Sequence, residues 1–441
     1  MKGLKVGVLG LGASGLATAR ALAGAGAAVY VWDDGEAARE SAAKAGFQIN
    51  SLMDEMLDLL VSSPGIPMAY PAPHPVIAHA QSQGTAVCGD VELFAQARGQ
   101  LPPHHVVSIT GTNGKSTTTA LIAHILKTAG QTAMIGGNFG PPILSLDPSA
   151  CIYVLELSSF QLEQTSSLVS DVSVFLNLTP DHEDRYADMA SYGAAKRRLF
   201  EMQGASGCSI IAIDDQEGRA LSAAVKNRCV TVSAERPADW SVQHGRLYCG
   251  AAVVAAQADW PDLQGPHNAQ NAAAAAGACA ALGLSNADIA AGLASFQALN
   301  HRSQPVGRRG HVRFINDSKA TNPDAVAKSL QAYPAIHWLA GGSDKGSDFD
   351  MLAAYLSDVE AAYFFGQTKD KLAADLPTLG AETFATLEEA FAAATGRACA
   401  SNEAATILLS PACASFDQFK NFAHRGEVFT ALVERFVQEA A

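Results

Sequence analysis

The chain has 441 residues, enough for several domains and too many for a single small one. Hydrophobic residues make up 48% and charged residues 17%, which excludes global disorder. Thirty Lys+Arg against 43 Asp+Glu leave a net charge of −13, which argues against a general nucleic-acid binder or a basic membrane-surface protein.

The first elements read as strand, turn and helix. Lys5 to Leu9 is a short apolar run, Gly10-Leu11-Gly12-Ala13-Ser14-Gly15 turns, and an Ala/Leu-rich helix runs to about Ala25. Val29 to Trp32 is a second strand, closed by Asp33 and Asp34. This is GxGxxG with an acidic residue about 20 positions on, the pattern of a diphosphate held on a helix N-terminus. A dinucleotide, another nucleotide, or close helix–strand packing without a ligand all fit the spacing. Lys2 and Lys5 before this stretch loosely imitate a signal peptide, but Arg20 interrupts it. Leu57 to Ser62 is a further strand, followed by a Pro-rich loop over 64–75, a helix and a short strand from Thr85 to Cys88. A boundary is expected near residue 95.

A second α/β unit, 96–298, opens with the strand His105 to Ile109. It enters Gly111-Thr112-Asn113-Gly114-Lys115-Ser116-Thr117, and a helix runs to about Ala129. Such a turn offers backbone N–H groups to phosphate, with Lys115 as a point charge and the Ser116 hydroxyl as a Mg²⁺ ligand. It departs from GxxxxGK[ST], since Ile109 stands at the first glycine position. Ile152 to Leu157 is a buried-strand pattern carrying Glu156, either a metal-site carboxylate near Ser116 or a paired structural acid. Val172 to Leu176 leads into Asn177-Leu178-Thr179-Pro180-Asp181-His182, where His182 is by itself an ordinary loop histidine. A helix follows from about Met189 to Met202, and by its immediate neighbours Lys196 reads as a solvated helix-face residue. Ser209 to Ile213 is a strand, 228–260 a β-rich excursion, and Asn268 to Leu282 a helix. Asn268 and Asn271 share a helix face; one is a candidate N-cap, and together they form a candidate amide pair for a purine or phosphate.

The third unit, 299–441, carries the strands Val312 to Asn316, Ile336 to Ala340, Ala361 to Phe365 and Thr406 to Ser410. Strands alternating with helices predict open parallel sheets, with chemistry beyond the strands' carboxyl ends. Arg302, Lys319 and Lys345 gather at such ends, beside Thr321 and Ser415. They read either as a site for a dicarboxylate or triphosphate, or as unrelated surface charges. The eight cysteines include no CxxC pair and read mostly as buried, reduced thiols of a cytosolic protein. No run of about 18 apolar residues predicts a membrane span.

Together these segments resemble the Mur ligase family across nearly the whole chain. The turn Thr110 to Ser116, Glu156-Leu157-Ser158-Ser159-Phe160-Gln161, Asn177 to His182, Gly265 to Asn271 and His301-Arg302 are shared with it. Asn316-Asp317-Ser318-Lys319-Ala320-Thr321-Asn322 and Ser410 to Asp417 are similar to its D-glutamate-adding branch. The resemblance implies three α/β domains: an N-terminal Rossmann-like domain, a central P-loop ATPase domain and a C-terminal Rossmann-like domain. It implies a bacterial cytoplasmic monomer that joins UDP-N-acetylmuramoyl-L-alanine and D-glutamate with ATP, without nucleic acid or membrane insertion. Gly111 to Thr117, Asn268, Asn271, Arg302 and Asp317 would hold ATP. Ser116, Glu156, His182 and Lys196, the last as a CO2-derived carbamate, would serve two Mg²⁺ ions. Lys115, His182 and Lys196 would be catalytic. Ser14 and Asp33 would face the UDP moiety, Asn138 the muramoyl-alanine, and Lys319, Thr321, Lys345, Ser415 and Phe422 the D-glutamate.

Ser343-Asp344-Lys345 departs from the more usual Asp-Gly-Lys order of some relatives. Closure of the third domain about a hinge at 298–301 is also expected. A folylpolyglutamate synthase-like ligase is the nearest alternative. An NAD-dependent oxidoreductase, or a non-catalytic nucleotide sensor, leaves more residues unexplained.

Overall fold

The computed structural model describes residues 1–343, 346 and 348–439. Lys345 and Asp344 lie outside the described residues. The chain divides into two compact units, 1–255 with 270–293, and 256–269 with 294–441. The first contains two sheets and the second contains one.

The first sheet is built from β1 (Lys5–Leu9), β2 (Ala28–Trp32), β3 (Gln48–Ile49), β4 (Leu59–Ser62) and β5 (Ala86–Cys88), in the order β3-β2-β1-β4-β5. All its pairings are parallel. Val6, Val8, Leu9, Leu60 and Val61 are buried because helices cover both faces of such a sheet. The order reverses between β1 and β4, so a crevice opens beyond their carboxyl ends.

The second sheet holds β6 (His105–Thr110), β7 (Ala133–Gly137), β8 (Ile152–Glu156), β9 (Val172–Phe175), β10 (Cys208–Ala212), β11 (Arg228–Ser233), β12 (Trp240–Gln243), β13 (Arg246–Cys249) and β14 (Ala252–Ala256). Its order is β14-β13-β12-β11-β10-β9-β6-β8-β7. The expected β-rich excursion is β11 through β14: β12 joins β11 in parallel, then turns back antiparallel as β13. In the middle, β6 lies between β8 and β9, so the turn after β6 is flanked by the residues that end those two strands.

The third sheet, order β15-β16-β20-β17-β18-β19, comprises β15 (Gln304–Arg309), β16 (Val312–Asn316), β17 (Ile336–Gly341), β18 (Val359–Phe365), β19 (Glu382–Phe384) and β20 (Ala405–Leu409). Only β15, on the edge, runs antiparallel to its neighbour. The strand β20 separates β16 from β17, so the loops after these three strands lie side by side.

Two sequence expectations need correction. The helix expected from Asn268 begins at Pro266, so Asn268 is its third residue and does not stand at the N-cap position. Of the eight cysteines only four are buried; Cys151 and Cys399 are exposed.

Candidate active site

The turn after β6 is shaped by two glycines. Gly111 has φ +147° and Gly114 φ +86°, conformations that cost a side-chain-bearing residue dearly. Space forbids a side chain as well: a Cβ on Gly114 would lie 2.3 Å from Asn271 Oδ1. Gly114 ends the turn and Lys115–Thr128 begins as a helix, so its first N–H groups face outward from the sheet edge. The Lys115 ammonium donates to the carbonyls of Gly111 and Thr112, at 2.9 and 2.6 Å.

One turn of helix places Ser116 over the end of β8. Its hydroxyl donates to Glu156 Oε2 at 2.5 Å, and Asn138 Nδ2 donates to Oε1 at 2.7 Å. Glu156 is buried, and these two donors satisfy a carboxylate that would otherwise be costly there. Asn138 is itself pinned, its backbone N–H donating to the Glu156 carbonyl.

Lys196 is fully buried, contrary to its bland helix-face reading. The helix Met189–Glu201 starts in a capping box between Asp188 and Ser191 and turns Tyr192, Ala195, Lys196 and Leu199 inward. That spacing is the apolar stripe of an amphipathic helix, with a lysine set into it. Lys196 Nζ donates to the Gly111 carbonyl at 2.8 Å and lies 4.4 Å from the centre of the Tyr192 ring. Burial, reinforced by the nearby Lys115 charge, pushes its amine well below the usual lysine range. His182 has φ +58° and packs 4.7 Å from the Phe160 ring. Burial lowers its pKa, opposed by Asp181 and reinforced by Lys196 and Lys115.

The other flank is Asn177. Its carbonyl accepts from Thr112 N–H, its Oδ1 from Asn113 N–H at 2.8 Å, and its Nδ2 donates to the Asn113 carbonyl at 3.1 Å. Thr117 follows Ser116 in the first turn of the helix. On the distant helix Pro266–Ala281, Asn271 Oδ1 accepts from the Thr118 hydroxyl at 3.2 Å. Asn268 belongs to the other compact unit, where its Nδ2 donates to the Gln264 carbonyl.

A cavity of about 470 Å³ opens where the first sheet reverses. Gly10, Gly12, Ser14, Asp33, Asp34, Ser63 to Pro67 and His74 line it. Asp33 shapes the glycine turn: Oδ2 accepts from Leu11 N–H and Oδ1 from Gly35 N–H. Gly15 is compulsory, because a Cβ there would meet the Gly10 carbonyl at 1.8 Å.

In the second unit Asp317 follows β16. Its Oδ1 accepts from Ser303 N–H and its Oδ2 from the hydroxyls of Ser329 and Ser410. Burial raises the carboxyl to about 6, against these donors and the charge of Arg302. Lys319 Nζ stands 4.0 Å over the Phe422 ring. The Thr321 segment joins the loop of Ser415, with Ala412 N–H donating to the Ala320 carbonyl. Sequence reasoning missed Arg425. It is fully buried, with its guanidinium held by Ser318, Gly341, Cys413 and Ala414, one cation tying the loops after β16, β17 and β20.

Comparison with known proteins matches residues 109–279 to the Mur ligase middle domain and 301–413 to the Mur ligase glutamate ligase domain. The UDP-N-acetylmuramoylalanine–D-glutamate ligase of Sphingopyxis alaskensis is 45% identical, covering 98% of this chain and 97% of its own. The enzyme of the same name from Paramagnetospirillum magneticum is 44% identical over 100% and 98%. Among solved structures, MurF of Thermotoga maritima in complex with ADP superposes with a TM-score of 0.64 at 15% identity, covering 92% of this chain and 94% of that one. MurC of the same organism gives 0.60 at 18% identity over 99% and 100%.

Proposed function

The chain belongs to the Mur ligase family, ATP-dependent ligases of peptidoglycan synthesis, and on that premise we propose how its residues join D-glutamate to UDP-N-acetylmuramoyl-L-alanine. The observation that carries the reading is identity of 42–45% with D-glutamate ligases over 97–100% of the chain. The alanyl carboxylate attacks the γ-phosphorus of ATP, giving an acyl phosphate and ADP. The amine of D-glutamate then attacks the activated carbonyl, and phosphate leaves as the amide forms. The protein's share is to position the reactants and neutralise charge.

Residues 96–298 take the ATPase role. The turn Gly111 to Thr117 receives the phosphates through the Lys115 ammonium and the N–H groups other than those of Thr112 and Asn113, which Asn177 holds, and this requires Lys115 to exchange its two loop carbonyls for phosphate oxygens. The donor set suits Mg²⁺: the Ser116 hydroxyl and the Glu156 carboxylate are hard oxygens 2.5 Å apart. Among the described residues no three of His, Cys, Asp or Glu gather as a metal site. Ser116 and one oxygen of Glu156 would hold a Mg²⁺ here, with the phosphates of ATP supplying further oxygens. When bound, it offsets phosphate repulsion as the carboxylate approaches.

Lys196 would hold a second metal only once modified. Its amine, lowered by burial, supplies the neutral lone pair that attacks CO2; an N–C bond forms, one proton leaves, and an oxygen-donor carbamate results. His182, half-buried and inclined to stay neutral, would help to hold that second metal. Asn138, held by Glu156, faces the muramoyl-alanine. Asn271, whose Oδ1 accepts from the Thr118 hydroxyl beside the turn, meets the adenine nucleotide.

Residues 1–95 take the UDP moiety in the cavity of Ser14 and Asp33, an assignment supported by its place at the reversal of strand order. Residues 299–441 take D-glutamate through Lys319, Thr321, Ser415 and Phe422, with Lys345. The enzyme works as a monomer in the bacterial cytoplasm. No helix among the described residues is long and apolar enough to cross a membrane.

The test is product formation. With ATP, Mg²⁺ and UDP-N-acetylmuramoyl-L-alanine, one ADP should appear per amide formed with D-glutamate, and none with L-glutamate. Turnover with L-glutamate and a folate acceptor would replace this reading by the folylpolyglutamate one.

A further inference from the structure

The phosphate turn lacks the first glycine of the usual P-loop pattern, and a hydrogen-bonded chain of side chains braces it from outside. Asn177 clamps Asn113 at both its N–H and its carbonyl. This works only if the Asn177 amide points one way, Oδ1 toward the N–H and Nδ2 toward the carbonyl. The second hydrogen of Nδ2 is taken by Gln270 Oε1 at 3.3 Å. Gln270 Nε2 in turn donates to Asp214 Oδ2 at 2.7 Å. Asp214 follows β10 and receives two further donors: the Ser233 hydroxyl on Oδ1 and Ala234 N–H on Oδ2. The Ser233 hydroxyl must donate, since its oxygen already accepts from the N–H groups of Glu235 and Arg236. Every neighbour thus offers Asp214 a proton, and the acceptor-only carboxylate fixes the direction of each amide in turn.

We propose that Asp214 and Gln270 are positioning residues that set the polarity of Asn177, which clamps the Asn113 peptide groups and thereby holds the rest of the turn in its phosphate-receiving shape. Neither side chain is required to touch ATP; they act through Asn177. This rests on the reading of residues 111–117 as the ATP-phosphate turn.

The chain of donors dictates the behaviour of variants. Gln270→Leu keeps the bulk and removes both contacts. Asp214→Asn places an NH2 either against both Gln270 Nε2 and Ala234 N–H or against the Ser233 hydroxyl. Gln270 relieves its own part of the first clash by turning over, which turns Asn177 over too and presents NH2 to Asn113 N–H, while Ala234 N–H loses its acceptor. Adding Gln270→Glu restores an acceptor facing Asn177, and the amide introduced at position 214 now donates to it.

The experiment measures KM for ATP, for UDP-N-acetylmuramoyl-L-alanine and for D-glutamate in the full-length enzyme, with Lys115→Ala as a control. Gln270→Leu and Asp214→Asn should each raise KM for ATP about tenfold, the worth of one or two lost hydrogen bonds, and leave the other two KM values within about twofold. The double variant Asp214→Asn/Gln270→Glu should recover part of the Asp214→Asn loss, the unpaired Ala234 N–H accounting for the remainder. Equal changes in all three KM values, unchanged KM for ATP, or additive losses in the double variant overturn the proposal. If Lys115→Ala is also unimpaired, the ATP-site reading itself falls; if only the relay variants are normal, the relay alone falls.

Discussion

At the scale of single residues, the account turns on charges placed where solvent is scarce. Lys115→Ala removes the ammonium from the phosphate turn and should lower kcat about 10²- to 10³-fold; near-normal turnover would contradict its role. Lys196→Ala should be nearly inactive, and short carboxylates added to the buffer should restore part of the rate by supplying an oxygen ligand. Activity that survives both this substitution and bicarbonate depletion would refute the carbamate. Asp317 gives a pH signature. Burial raises its carboxyl to about 6, above roughly 3.9 in an unfolded chain, so the folded state keeps a proton the unfolded state has lost. Stability from this group is therefore fully present below about pH 4 and falls as pH rises to about 6, by on the order of 3 kcal/mol. Asp317→Asn should lack that slope: its urea midpoint relative to wild type should rise between pH 4.5 and 7. Parallel curves would contradict the shift.

These residues are unevenly legible in the sequence. Glu156 announces itself, since a carboxylate inside an apolar strand run needs a partner. Lys196 does so only when Tyr192, Ala195 and Leu199 are seen as one stripe around it. Asp214, Gln270 and Arg425 give no local sign. Gln270 and Asp214 are 56 positions apart, and Arg425 reaches partners up to 107 away, so only the packed sheets bring them together.

At the scale of elements, parallel strands buried on both faces make continuous apolar runs, and this is why β1, β6, β8, β9, β16 and β17 are legible. The edge strand β15 is not: it carries Arg308 and Arg309 and has no buried residue, as a strand with one open side can. The turns between strand and helix can be tested directly. Gly114→Ala adds a Cβ 2.3 Å from Asn271 Oδ1 at φ +86°, so it should weaken ATP binding at least about tenfold while the first sheet's nucleotide site stays intact. Isothermal titration with ATP and with the UDP substrate separates the two; equal affinities for ATP would show that the turn tolerates the distortion.

At the scale of the molecule, a linear reading places one late boundary near 298, whereas compactness assigns 256–269 to the same unit as the residues after 294. The reason lies in long-range contacts. Trp260 is buried, Asp262 accepts from Ala298 N–H at 2.9 Å, and Gly265 packs against Ala332. No composition shift marks such a return of the chain. What the whole molecule must accomplish is transfer of a phosphoryl group to the alanyl carboxylate before the amide is made. Substrate labelled with ¹⁸O in that carboxylate tests this most directly. One labelled oxygen should be recovered in the released phosphate for each amide formed; phosphate free of label would contradict the acyl phosphate and the account built on it.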